Sequence, residues 1–283
     1  MENLSWIANQ EYLGRGIIIG KLGGGLESIS YFVTGRSAPS RARKLVEEWN
    51  NDRVRTDCMD PEQLKRGTPE LLIYNAIRRV GDIFVVSNGA QTDIIANEAA
   101  KNSERNPARL LMEAFAHPAW VQERKDGKFT GNYIDLTSFE PDSPNWTPRI
   151  SGVVKNGVAG LAIARKAEGS DECERQYFEF PLIPGRARFI PTYTGKNVPA
   201  GQVIPSFRGE PLEFDISQYQ DINAISETVY DFLGPKTAAE GIISPGQDFR
   251  VGVSGVAIER KPRPRISYHT INAWKDQQQK LGL

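Results

Sequence analysis

Short apolar runs separated by turn residues dominate the chain. Residues 12–20 (YLGRGIIIG) and 28–34 (SISYFVT) are rich in β-branched and aromatic side chains and flank Lys21-Leu22-Gly23-Gly24-Gly25. They read as two strands joined by a glycine turn. Residues 71–79 (LLIYNAIRR) and 83–87 (IFVVS) repeat the pattern around Gly81-Asp82, and residues 149–155 and 158–165 repeat it around Asn156-Gly157, a strong two-residue hairpin signal. Further strands are expected over 177–182, 187–193 and 249–259. In a strand over 71–79, Tyr74, Ala76 and Arg78 would face one way and Asn75 and Ile77 the other.

Helical signals are fewer. One segment covers 92–101 with Thr92 as its N-cap. Another covers 107–117, with Pro107 in its first turn and Leu110, Leu111, Ala114 and Phe115 on one face. A third covers 222–233 behind Asp221, and a polar helix is expected from Ile271. Residues 36–69 read as a loop-rich excursion with a short helix over 42–51, and residues 120–146 read as loop. Paired hairpins with few helices favour an α+β fold, helices covering antiparallel sheets, over a doubly wound parallel sheet. No Pro/Gly/Ser-rich linker divides the chain. One domain over 1–283 is expected, with an insertion near 43–69 and an extended C-terminal segment from about 260.

Composition narrows the chemistry. The 283 residues hold 35 Lys plus Arg and 35 Asp plus Glu, a balance that argues against a nucleic-acid or anionic-membrane surface. With two His (His117, His269) and two Cys (Cys58, Cys173), neither a four-cysteine zinc site nor a disulfide framework can be built, although a single Cys58–Cys173 bridge remains open. Sparse cysteine, no signal-peptide pattern over 1–12 and no apolar run of membrane-spanning length point to the cytoplasm. The glycines at 23–25 do not fit a phosphate-binding loop, because a Walker pattern closing on Gly20-Lys21 would need glycine at Arg15 and a hydroxyl at Leu22. Serine-elbow and zinc-protease signatures are absent too. His117 beside Pro118 suits a helix end. Acid–base work therefore falls to Tyr, Glu, Asp, Arg or Lys.

Three segments carry candidate chemistry. In Gly35-Arg36-Ser37-Ala38-Pro39-Ser40-Arg41 two guanidiniums could converge on an anion. The plainer reading is a solvated loop. In Tyr74-Asn75-Ala76-Ile77-Arg78 a polar row lies inside an apolar strand, or Tyr74 is an ordinary half-buried aromatic. In Ser87-Asn88-Gly89-Ala90-Gln91-Thr92-Asp93 a helix start could receive an anion, with Asn88, Thr92 and Asp93 adding hydrogen bonds, or could simply be capped.

Taken in order, the blocks at 12–20 (YLGRGIIIG), 35–41 (GRSAPSR), 74–82 (YNAIRRVGD), 85–93 (VVSNGAQTD) and 147–152 (TPRISG) resemble the archaeal-type inosine monophosphate cyclohydrolase family. The resemblance covers roughly residues 12–165 and is weaker beyond. It implies a four-layer αββα sandwich similar to the N-terminal-nucleophile hydrolases. It also implies an activity: ring closure of 5-formamidoimidazole-4-carboxamide ribonucleotide to inosine monophosphate, with loss of water. The family's functional trio falls on Arg41, Tyr74 and Glu140, with Asp135 and Asp142 as alternatives to Glu140. Arg36, Asn75, Asn88, Thr92, Asp93 and Arg149 are candidate substrate contacts, and Arg15 fits the first block. The reaction needs no cofactor and no metal. The expected partner is a purine ribonucleotide, and a homo-oligomer is implied. Two rivals remain open. An amide hydrolase of the same fold would need an N-terminal nucleophile, which Met1-Glu2 does not offer and which Cys58 could supply only after cleavage. A non-catalytic nucleotide-binding protein of the same fold is the other, its basic run at 260–265 being a candidate contact or a proline-stiffened linker.

Overall fold

A computed structural model describes residues 1–260 and 265–274. Sixteen strands and seven short α-helices are assigned among them. The first sheet runs, in spatial order, β1 (Glu2–Asn3), β14 (Leu212–Asp215), β13 (Arg186–Pro191), β2 (Arg15–Lys21), β3 (Glu27–Thr34), β15 (Arg250–Glu259) and β16 (Arg265–Asn272). The second runs β12 (Cys173–Pro181), β11 (Val158–Lys166), β10 (Arg149–Lys155), β7 (Ile83–Ser87), β6 (Asn75–Val80), β5 (Arg53–Cys58) and β4 (Arg43–Glu48). A separate hairpin pairs β8 (Trp120–Lys125) with β9 (Lys128–Asp135). The helices are α1 (Ser5–Ala8), α2 (Ala38–Arg41), α3 (Pro61–Lys65), α4 (Pro69–Leu72), α5 (Gln91–Lys101), α6 (Pro107–Ala114) and α7 (Ile222–Phe232). None is long and apolar enough to cross a membrane. Pairing is antiparallel throughout the two sheets except between β1 and β14. The expected α+β class holds.

Alternation along each central strand divides the side chains between two cores. On β2, Ile17 and Ile19 join Ile29, Tyr31 and Val33 of β3 against Ile77, Phe84, Val86, Ile150 and Leu161 of the second sheet. Ile18, one residue out of phase, packs with Phe32, Phe189 and Val253 under Ile222, Ile225 and Val229 of α7. On the second sheet Ile83, Val85 and Val153 turn away from the shared core toward Ile95, Leu110 and Leu111 of α5 and α6. A strand buried on both faces has no polar side to show, which is why 16–20 and 83–86 read as unbroken apolar runs.

The hairpins expected around Gly23–Gly25, Gly81 and Asn156-Gly157 form. At the last, Asn156 (φ 46°) and Gly157 (φ 81°) both adopt the left-handed backbone that this turn demands. The N-caps of α6 and α7 are Asn106 and Asp221, whose side chains accept from the amides of Arg109 and Ala224.

Several expectations are overturned. Residues 42–51 are not a helix. They supply β4 and a short 3₁₀ turn (Trp49–Asn51), and β4 pairs with β5 while Leu45 and Val54 enter the shared core. The rest of the supposed loop-rich excursion holds α2, α3 and α4. Residues 120–135 form the β8–β9 hairpin about Asp126-Gly127 (φ 51° and 75°). Its strands are so exposed that no apolar alternation marks them. Helix α5 starts at Gln91 behind Ala90, so Thr92 is inside it and its hydroxyl donates to the Gly89 carbonyl at 2.9 Å. Residues 71 and 72 end α4, and strand β6 begins only at Asn75. From Ile271 the chain continues β16 through Asn272 rather than turning at once into a helix, and the remainder of that expected helix beyond 274 lies outside the described residues, as do 261–264 of the basic run. Cys58 and Cys173 are unbonded thiols.

The two sheets meet along one edge through a side chain. Asn272 of β16 accepts from the Leu45 amide at 2.7 Å and donates to the Leu45 carbonyl at 2.9 Å, satisfying both outward backbone groups of a β4 residue. Nearby, Lys44 sits over the Trp274 ring and Trp49 meets Tyr268 edge-on. Replacing Asn272 by Ala leaves a buried donor and acceptor unpaired. It should cost about 2 kcal/mol of stability, read as a lowered urea midpoint with unchanged m-value.

Candidate active site

At one end of the two sheets a cavity of about 390 Å³ opens between the start of β2, the turn after β3, α4 and the 140–147 loop. Its wall carries the guanidiniums of Arg15, Arg36, Arg43 and Arg66 and the carboxylates of Glu140 and Asp142, together with Tyr12, Thr147 and Tyr193.

Arg15 is the first residue of β2. Its backbone is pinned by Thr192, whose hydroxyl accepts from the Arg15 amide at 3.0 Å and whose own amide donates to the Arg15 carbonyl. The preceding Gly14 (φ 73°) lies so close to Thr192 and Tyr193 that a Cβ there would sit 2.2 Å from the threonine hydroxyl. Only glycine permits the approach. The Arg15 guanidinium donates to Glu140 and, at 3.4 Å, to the Asn88 carbonyl. On the other side of Glu140, Arg149 Nη1 stands 3.8 Å from the same carboxylate oxygen. Arg149 is fully buried and donates to the Ser138 carbonyl at 2.7 Å and to Gln91 at 3.0 Å. One buried carboxylate thus lies between two guanidiniums. Burial pulls Arg15 down, but Glu140 together with Tyr74, Tyr31 and Tyr193 outweighs it and leaves that guanidinium more basic than usual. Burial wins at Arg149, with Arg15 opposing its charge as well, and lowers it.

Beside this pair the 140–147 loop closes on itself. The Glu140 amide donates to the Thr147 carbonyl, and the Thr147 amide and hydroxyl donate to the two oxygens of Asp142 at 2.7 and 2.5 Å. The Thr147 hydroxyl also meets the Tyr193 hydroxyl at 2.6 Å. Burial, and then the neighbouring Glu140 charge, raise Asp142 to about 6 against the pull of its Thr147 bonds. Tyr193 is pushed well up by burial and by Asp142.

The sequence-derived residues disperse. Arg36 and Glu140 line the cavity, Arg149 stands directly behind Glu140, and Asp142, named as an alternative, lines it too. Tyr74 is buried and its hydroxyl lies 2.7 Å from that of Tyr31. The pair is close enough to Arg15 to influence its charge, but Tyr74 is not on the cavity wall. Arg41 ends α2 exposed and off the wall. Asn88 is fully buried and donates to the Pro148 carbonyl while accepting from Gln91 and the Ile150 amide, so it staples β10. Thr92 is equally buried. Asp93 accepts from Asn75 and Arg78, both at 2.8 Å. The expected opposition of Asn75 and Arg78 fails because Ala76 is an extra residue in a bulge against β5, which returns both neighbours to one face. Asp135 is engaged with the Ala119 and Thr137 amides.

Sequence reasoning passed over Arg43 and Arg66. Arg43 is 2% exposed, and its guanidinium donates only to the Ser40 and Leu72 carbonyls among the described residues. Reading 43–48 as a strand would have turned it inward beside Leu45; the helix assignment hid it.

Residues 12–116 match the family model described as IMP cyclohydrolase-like protein. A protein of Methanococcus maripaludis named IMP cyclohydrolase is 34% identical over 236 residues, covering 83% of this chain and 96% of its own length. Another of that name, from Methanocaldococcus jannaschii, is 33% identical over 237 residues, covering 81% of this chain and 99% of its own. The chain belongs to the IMP cyclohydrolase family. The family match ends at 116, so Arg15, Arg36, Arg43 and Arg66 fall inside it and Glu140, Asp142, Thr147 and Tyr193 fall outside.

Asp142 also makes stability depend on pH. Its folded value of about 6 exceeds the ordinary carboxylate value near 4. Across that window the folded chain keeps a proton that the unfolded chain has released, so this group's contribution to stability declines as pH rises from about 4 to about 6. Asp142→Asn should flatten that segment of the stability–pH curve, measured by urea unfolding across the window.

Proposed function

We propose that this chain closes the ring of 5-formamidoimidazole-4-carboxamide ribonucleotide to give inosine monophosphate and water. The observation that carries the reading is the polarity of the cavity. Arg36, Arg43 and Arg66 present cations to which no carboxylate is bound among the described residues, and Arg15, Glu140 and Asp142 form a buried charge cluster on the same wall. One end suits the 5′-phosphate and the other suits proton transfer.

The carboxamide nitrogen forms a bond to the formyl carbon and gives up a proton, while the formyl oxygen takes up charge and then a proton. The carbinolamine next loses that hydroxyl together with the proton of the former formamide nitrogen, as water, and no electrons are exchanged. Holding the two substituents together is the largest task, and the cavity walls perform it. Arg15, held by Glu140, faces the developing oxyanion. Asp142, titrating at about 6, exists in both protonation states near neutral pH and carries the proton from the nitrogen to the leaving hydroxyl. Glu140, already committed to Arg15 and facing Arg149, orients rather than transfers. Tyr74 acts from beneath, through Tyr31 and the field at Arg15. Arg43 takes the place that the resemblance gives to Arg41, because it stands on the wall and Arg41 does not.

The fold belongs to the same reading. A four-layer αββα order similar to the N-terminal-nucleophile hydrolases is supported by the core that the two sheets share and by α5, α6 and α7 on their outer faces. Hydrolysis by Cys58 is disfavoured, since burial and then Asp57 push its thiol up.

Cyclisation followed by ultraviolet absorbance tests the assignment. Arg43→Ala should raise KM about tenfold or more. Asp142→Asn should lower kcat by about 100-fold and abolish an acidic limb with apparent pKa about 6. Near-normal turnover by both variants would remove this site map, and a wild-type protein that binds inosine monophosphate without turnover would remove the activity.

A further inference from the structure

Arg36 is held by a two-residue relay that lies outside the family-matched segment. Its Nη1 donates to Asn197 Oδ1 at 3.1 Å and to the Val198 carbonyl at 3.0 Å, and its guanidinium carbon lies 5.4 Å from the Tyr12 ring centroid. Asn197 is buried, and its other amide end donates to Glu11 Oε1 at 3.3 Å and to the Ser244 hydroxyl at 3.2 Å. Glu11 is buried as well, and its carboxylate accepts from the amides of Ser244 at 2.7 Å and Ile243 at 3.0 Å. A neutral amide therefore stands between a buried carboxylate and a cavity arginine.

That insertion has an electrostatic effect. A direct Glu11–Arg36 pair would cancel the guanidinium charge before any ligand arrived. With Asn197 between them, the carboxylate polarises the amide and strengthens Oδ1 as an acceptor, yet Arg36 keeps its net charge. Nε and Nη2 of Arg36 carry no bond to protein among the described residues. Orientation also needs fixing, because Arg36 and Ser37 line both the 390 Å³ cavity and an adjoining one of about 510 Å³ formed with Asn197, Ile243 and Phe249.

The geometry points to Glu11 and Asn197 as positioning residues for the anionic end of the substrate, holding Arg36 toward the cavity without neutralising it. The inference rests on the proposed cyclohydrolase site, with Arg36 among the phosphate-facing cations. It draws the 242–249 segment into binding, since Glu11 fixes that segment through two backbone amides.

Steady-state cyclisation by four proteins tests it: Asn197→Ala, Asn197→Asp, Arg36→Ala and the double variant Asn197→Ala/Arg36→Ala. Thermal melts accompany each to confirm folding. Asn197→Ala should raise KM about tenfold with kcat changed by less than about twofold. Asn197→Asp keeps the acceptor toward Arg36 but adds a charge that cancels the guanidinium, so its KM should rise further than that of Asn197→Ala. A merely structural asparagine would give the opposite order. The double variant should match Arg36→Ala, because removing Arg36 leaves the relay nothing to position. If Arg36→Ala raises KM while both Asn197 variants bind normally, or if the double variant is additive, the relay is wrong. If Arg36→Ala itself leaves KM unchanged, the placement of the substrate anion is wrong instead. Should Asn197→Asp fail to fold, the Asn197→Ala and double variants still decide by additivity.

Discussion

The cavity depends on a single buried carboxylate. Glu140 is 2% exposed and lies between Arg15 at the head of β2 and Arg149 at the head of β10, so it joins the two sheets at the end where the cavity opens. Two buried guanidiniums would repel each other across the sheets without it. A carboxylate in that position is costly to desolvate and more costly to remove, because each partner would become an uncompensated buried charge. The surrounding construction follows from this requirement. Gly14 and Thr192 fix the Arg15 backbone, Gln91 and the Ser138 carbonyl hold Arg149, and the Thr147 backbone holds the Glu140 amide. The charge is also what raises Asp142 next door, after burial itself. The carboxylate that anchors the ion cluster thus adds to what burial does at Asp142.

The second consequence concerns where cations are left free. Arg15 and Arg149 are spent on Glu140, while Arg36 and Arg43 donate to neutral acceptors. Their charge is thus held in place without being cancelled, which a chain with equal numbers of basic and acidic residues achieves only by local arrangement.

What the sequence made legible follows burial. Strands β2, β3, β7, β10 and β11 lie in the middle of their sheets and carry apolar side chains on both faces, so their runs and turns stood out. Edge and surface strands did not: β4, β5, β8 and β9 are charged, and their pairing is imposed by neighbours rather than by local pattern. The same limit governed the site. Arg36 lies in a block that carries the resemblance, and Glu140, with Asp142 as its alternative, was named by its place ahead of the block TPRISG, whereas Arg43 was lost with the strand that aims it. Asn88 and Thr92 looked like ligand groups because a helix start both caps itself and binds anions with the same atoms; only burial separates the two uses. Asn75 and Arg78 could not be placed without the bulge at Ala76, which nothing in the run YNAIRR announces.

The bond pair from Asn272 to Leu45 has a meaning beyond its energy. Strands β16 and β4 each terminate a sheet, and a terminal strand offers unpaired amides and carbonyls to any passing chain. By imitating a backbone partner with one side-chain amide, Asn272 uses up the outward pair of Leu45 and turns two free borders into a seam. The lysine–tryptophan and tryptophan–tyrosine contacts beside it extend the closure. On that side the molecule guards itself against uncontrolled strand addition, and it does so with a residue at the far end of the sequence from the strand it protects.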